Sequence, residues 1–174
     1  MNSKRSFLCA AAALILLIAA DQLTKQLAVQ YLYQNEPFEI IPGVFELHFL
    51  INKGAAFGIM QNHQYFFAAV TCAVLCVLVW VYGKTVSLPR FRPIRLLLIL
   101  LMSGAVGNLL DRVRLGYVID FFYFKLIDFP IFNVADCYVV VSVILLTVLI
   151  LFVYKEEDLD ELGRHLRPGG GKKS

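Results

Sequence analysis

Polar positions in this sequence are few, and they fall in blocks. Apolar runs at residues 7–29, 65–82, 94–112 and 136–154 each come near the roughly 20 residues that a helix needs to cross a bilayer. They predict four membrane-spanning helices. Between the first two, a Pro-Gly turn is followed by an alternating stretch. Phe45, Leu47, Phe49 and Ile51 share one side, while Glu46, His48, Leu50 and Asn52 share the other, the period of a half-buried strand. This predicts a small sheet resting on the membrane surface. The run Phe121, Phe122, Tyr123 and Phe124 reads as a short interfacial helix or re-entrant turn.

Composition agrees with a membrane protein. Mean hydropathy is +0.71 and only 17% of the 174 residues are charged, too oily for an ordinary soluble domain. Lys and Arg near the span ends set the orientation. Lys4 and Arg5 precede the first span, and Lys84, Arg90, Arg92 and Arg95 lie between the second and third. Lys155, Arg164, Arg167, Lys172 and Lys173 follow the fourth, whereas residues 30–64 hold only Lys53. Both termini are therefore expected in the cytoplasm, with outer loops at 30–64 and 113–135 and a flexible cytoplasmic tail at 155–174. Trp80 and Tyr82 are expected in an inner aromatic belt. No small-x-small cleavage site precedes a soluble domain, which points to an uncleaved first helix.

The expected fold is an all-α membrane protein, with four transmembrane helices, a small extracytoplasmic β-sheet and a short interfacial segment, as a single domain over 1–174. A net charge of +3 reflects the cytoplasmic ends and gives no reason to invoke nucleic acid. Cys9, Cys72 and Cys76 lie in apolar spans, where free thiols pack as small hydrophobes. Neither a His-Glu-x-x-His helix nor a Cys-x-x-Cys pair is present, so a metal mechanism has no evident ligand set.

The polar residues inside the spans gather at one end. Asp21 and Lys25 are four apart near the outer end of the first helix. Gly104, Asn108 and Asp111 share a side of the third, with Arg112 nearby, and Asn133 and Asp136 open the fourth. Each has a plain structural reading. Asp21 with Lys25 reads equally as an interfacial ion pair, Asp111 with Arg112 as an anchor, and Gly104 and Gly107 as a packing surface. Asp136 suits a helix N-terminus, and Asp120 can reach water from its aromatic surroundings. Their coincidence at one depth asks for more, because ionisable groups in a membrane are costly and usually functional.

Asp120 and Asp136 lie at the two ends of a loop that leaves and re-enters the same surface. Two close carboxylates cannot both ionise easily, so one keeps a proton while the other is a base. Such a pair can activate water and protonate a leaving amine. Spacing alone leaves this open, since two loop acids are common. A proton-coupled transporter would instead favour polar groups along a path through the bilayer, and the inner halves of these spans are almost uniformly apolar. A structural membrane subunit has no need of two outer acids.

The blocks DQLTK (21–25), NKGAAF (52–57), GAVGNLLDR (104–112), VIDF (118–121) and FNVADC (132–137) closely resemble, in order, those of bacterial lipoprotein signal peptidase, or signal peptidase II. The resemblance covers about residues 7–154. It implies an intramembrane aspartic endopeptidase of the bacterial inner membrane that cleaves prolipoproteins just before a diacylglyceryl-modified cysteine, with no cofactor. It implies Asp120 and Asp136 as the catalytic pair. Asn52, Gly54, Asn108, Arg112, Asn133 and Ala135 then line the pocket for substrate and for globomycin-type inhibitors, while Asp21, Lys25 and Asp111 support the site. Membrane lipid is the implied surrounding partner, and Phe57 and Phe122 are expected to cover the groove. Two positions depart from the pattern. Ser103 stands where a glycine is frequent, and Cys137 where Ser or Thr is usual; a thiol there has no histidine placed as its base.

Overall fold

The computed structural model describes residues 3–54 and 64–167. Among these, four helices are long and apolar enough to cross a membrane: Lys4–Leu32, Tyr65–Thr85, Pro89–Leu115 and Val134–Val153. The chain is thus a multi-pass membrane protein. Helix α1 runs Ser3–Leu32, α2 Gln64–Thr85, α3 Arg92–Leu115 and α4 Val134–Val148, the last continuing as a π-helical stretch Leu149–Val153. Helices α1, α2 and α3 are longer than their apolar runs alone suggest, because polar flanks such as Lys84 at the end of α2 stay helical outside the oily stretch.

A three-stranded antiparallel sheet caps one end of the bundle. Its strands are β1 Phe38–Ile41, β2 Phe45–Asn52 and β3 Val118–Tyr123, in the order β1-β2-β3. The alternating stretch is β2, as expected. Leu50 pairs with Asp120 and Asn52 with Val118, which brings the end of β2 against the start of β3. The aromatic run differs from expectation. It is not an interfacial helix or re-entrant turn but strand as far as Tyr123, with a 3-10 turn only at Lys125–Ile127. Leu47, Phe49, Ile119 and Phe121 pack on Ala28 and Leu32 of α1, so the sheet is bolted to the end of that helix.

The opposite end is closed by a second apolar cluster that includes Tyr82, Phe91, Leu98, Met102 and Tyr154. Buried Arg95 donates to the carbonyl oxygens of Thr85 and Leu88, satisfying the α2–α3 turn. Tyr82 is buried against Phe7 and Ser6 rather than standing in an aromatic belt; its hydroxyl finds a partner inside. Cys9, Cys72 and Cys76 are exposed on the outer surface of the bundle rather than in its core. Within the tail expected to be flexible, Glu156–Leu166 forms a helix, α5, while residues 168–174 lie outside the described residues. Leu159 and Leu162 pack against the closing cluster and Asp158 pairs with Arg90 at 3.2 Å, so one apolar stripe secures an otherwise acidic segment.

Candidate active site

The site begins where α3 ends. Gly116 adopts φ +77° and its N–H returns to Arg112 O at 3.1 Å, a left-handed cap that glycine accepts readily. The chain reverses there and runs into β3, which places Asp120 back over the last turns of α3. On the other side, Asn133 caps α4 reciprocally with Asp136. The Asp136 N–H donates to Asn133 Oδ1 at 3.0 Å, and the Asn133 N–H donates to Asp136 Oδ2 at 3.1 Å, a capping box.

That cap fixes the asparagine amide. With Oδ1 taken by the helix, Asn133 Nδ2 is turned to donate to Asp120 Oδ1 at 2.6 Å, with Asn108 Oδ1 at 3.1 Å and Ile119 O at 3.3 Å also in reach. Asn108 Nδ2 donates to Asp136 Oδ1 at 2.7 Å, and Asn52 Nδ2 donates to Asp120 Oδ2 at 2.8 Å. The Gly54 N–H in turn donates to Asn52 Oδ1 at 2.9 Å, from a glycine at φ +93°. The two aspartates therefore meet through asparagine amides drawn from β2, α3 and the start of α4. Asp120 is only 1% exposed. Burial raises its pKa to about 6, aided by the nearby Asp136 charge and opposed by the Asn52 and Asn133 hydrogen bonds.

Behind the pair lies a buried ion cluster. Lys25, 2% exposed, sits 3.1 Å from Asp21 and 2.9 Å from Asp111, and it donates to Asn108 Oδ1 at 2.8 Å. Asp21 also accepts the Ala135 N–H at 2.9 Å, and Asp111 accepts the Ile119 N–H at 3.3 Å. One cation thus holds α1, α3, β3 and α4 together. Such a cluster is tolerable in a dry interior only when every lone pair is met. Gln22 meets the remainder, its Nε2 lying within 3.3 Å of Asp21 Oδ2, Asp111 Oδ1 and Gly107 O. It escaped the sequence reading because one amide inside DQLTK looked no different from any exposed glutamine.

Close helix packing is enforced by glycine. A Cβ on Gly107 would stand 2.5 Å from Asp21 Oδ2, and one on Gly104 would stand 2.9 Å from Val139 Cγ2. Ala135 is fully buried at this α3–α4 contact. Arg112 does not anchor to Asp111. Its Nη1 donates to Asn108 O at 3.3 Å, its guanidinium lies 5.6 Å from the Phe67 ring centroid, and its buried Nε has no hydrogen-bond partner among the described residues. A groove of about 250 Å³ between α2, α3 and α4 reaches Asn108 and Arg112 from the apolar side, past Val70, Leu101 and Val139. Phe122 packs in an aromatic group with Phe45, Phe121 and Phe132, while Phe57 lies outside the described residues. Among the described residues, no three His, Cys, Asp or Glu side chains converge in a way that could hold a metal ion.

Residues 13–152 match the family model described as signal peptidase (SPase) II. The chain belongs to the signal peptidase II family. A protein of Streptococcus pyogenes serotype M6 named lipoprotein signal peptidase is 44% identical over 145 residues, covering 83% of this chain and 92% of the relative. One of serotype M5 is 43% identical over the same length. Two solved structures titled as bacterial membrane enzymes are also similar. The first has a TM-score of 0.73 at 32% identity, covering 85% of this chain and 92% of its own. The second has 0.72 at 30%, covering 84% and 94%. All five sequence blocks of the signal peptidase II resemblance lie within the matched span.

Proposed function

We propose that this member of the signal peptidase II family is an intramembrane aspartic endopeptidase. It acts as one membrane-embedded unit and cleaves the signal peptide from diacylglyceryl-modified prolipoproteins, just before the modified cysteine. The observation that carries the reading is the pair Asp120 and Asp136, two carboxyl groups from a strand and a helix start, held by shared asparagine amides at the end of a membrane bundle. The excess of Lys and Arg at the opposite end supports an outward-facing site in the bacterial inner membrane, with both termini cytoplasmic.

The chemistry follows from sharing one proton. The ionised carboxylate takes a proton from water as the water oxygen attacks the scissile carbonyl, while the protonated carboxyl donates to the carbonyl oxygen. The resulting diol collapses as a proton passes to the leaving nitrogen, and the C–N bond breaks. Asn52 and Asn133 fix Asp120, and Asn108 and Asn133 fix Asp136, so neither carboxyl must reorient during the step. Arg112, with an unsatisfied Nε, offers a donor to substrate backbone carbonyls. Gly54 lets the substrate chain approach Asn52, and Ala135 keeps α4 tight against the site. Asp21, Lys25, Asp111 and Gln22 hold these residues in register. A substrate whose acyl chains remain in the bilayer presents its peptide bond at the depth of this pair. A globomycin-type cyclic peptide is expected to occupy the same pocket.

The test is cleavage of a purified diacylglyceryl-modified prolipoprotein, followed on a gel, by wild type, Asp120→Asn and Asp136→Asn. Loss of cleavage in both folded variants, with wild-type activity unaffected by chelator, supports the reading. Near-normal cutting by either variant refutes the dyad.

A further inference from the structure

The turn beyond β3 carries large apolar side chains that the described residues leave largely uncovered. Leu126 is 69% exposed, Ile127 68% and Phe129 48%, and Phe124 stands beside them at 41%. An apolar patch of this kind on a soluble surface ordinarily marks something that binds there. Its two charged side chains and three of its backbone N–H groups are answered from within. Lys125 reaches Glu46 at 2.9 Å and Glu39 at 3.3 Å, and Asp128 accepts the Tyr123 hydroxyl at 2.6 Å. The N–H groups of Leu126, Asp128 and Phe129 donate to Val44, Lys125 and Phe124, and Pro130 has none to offer. Irregular backbone can approach lipid only when its polar groups are satisfied in this way. The fourth helix long and apolar enough to cross a membrane begins at Val134. Five residues after Phe129, Val134 is at most about 17 Å away at full extension.

We propose that the 124–129 turn is a membrane foot, seating Phe124, Leu126, Ile127 and Phe129 at the headgroup–acyl boundary of the leaflet into which α4 inserts. The occupant of the patch is lipid. The foot lies at the end of the strand that carries Asp120. It therefore sets the height of the sheet over the bilayer, and with it the height of Asp120 relative to a bond presented from a lipid-anchored chain. Charged side chains at the foot's rim stay paired to the sheet, as is usual for groups at an interface.

Trp80 is the only tryptophan, so a reporter can be moved. In the full chain carrying Trp80→Phe and Ile127→Trp, reconstituted in phosphatidylethanolamine–phosphatidylglycerol vesicles, emission is expected to be blue-shifted. Acyl-brominated lipid is expected to quench it, and to quench Trp80 in the unsubstituted protein, whereas acrylamide is not. Quenching by acrylamide but not by brominated lipid overturns the proposal, including the case where a separate protein covers the patch in the cell. This readout is independent of peptidase activity. In a second measurement, Leu126→Ser with Ile127→Ser is expected to slow cleavage of a vesicle-embedded substrate several-fold while leaving the rate in detergent unchanged. Equal loss in both settings overturns the proposal.

Discussion

Replacing Asp120 by Asn should change how stability depends on pH, by an amount that follows from burial. The Asp120 carboxyl has its pKa raised from 3.8 to about 6, which corresponds to about 3 kcal/mol at roughly 1.4 kcal/mol per tenfold change in proton affinity. Below pH 3.8 both folded and unfolded chains carry the proton, and no penalty exists. As pH rises, the unfolded chain loses its proton first, so the folded state binds more protons and stability falls. The full penalty is present above about pH 6. An amide does not titrate, so the variant escapes this loss. It suffers a different one, because Asn52 and Asn133 both donate to residue 120 and one of them must face an NH2 group. That costs about 1–3 kcal/mol, independent of pH. Equilibrium unfolding in mixed detergent micelles, from pH 3 to 8, separates the two. The stability of Asp120→Asn minus that of wild type should rise by about 3 kcal/mol across the range. A flat difference would refute the claim that burial governs this group, and a falling one would reverse its sign.

Other perturbations have equally definite outcomes. Lys25→Met leaves two buried carboxylates without their cation and should cost about 3–5 kcal/mol, read as loss of folded protein; adding Asp111→Asn should recover part of it. Gly107→Ala drives a methyl group to 2.5 Å from Asp21 Oδ2, so it should lower both the unfolding temperature and cleavage, whereas Gly163→Ala, which meets nothing, should be neutral or stabilising. Arg90→Ala breaks an exposed pair with Asp158, and the unfolding free energy should change by no more than about 1 kcal/mol.

The four spans and the strand at 45–52 were legible because each has one dominant period or length. The side of α3 bearing Gly104, Asn108 and Asp111 was legible for the same reason. Strand β3 was not. Val118, Ile119 and Phe121 are all buried, so apolar residues occupy both faces and alternation vanishes, and a continuous oily run cannot be told from a helical one by pattern. Helix α5 was hidden by its charge, since only Leu159 and Leu162 reveal the buried stripe. At the site, the residue types could be gathered to one depth from the sequence, but their assignment came from the family resemblance. What joins them is the direction in which two asparagine amides point. That direction is set by Lys25 on one side and the α4 cap on the other, and no local pattern encodes it.

The reciprocal cap between Asn133 and Asp136 has a consequence for the life of the molecule in the cell. The hydrogen bonds that start the fourth span are the same ones that aim an amide at Asp120. The chain cannot settle that helix without arming the site, and it cannot arm the site before the helix has settled. On the proposed role of Asp120 and Asp136, completing this helix start is then also the step that completes the catalytic pair.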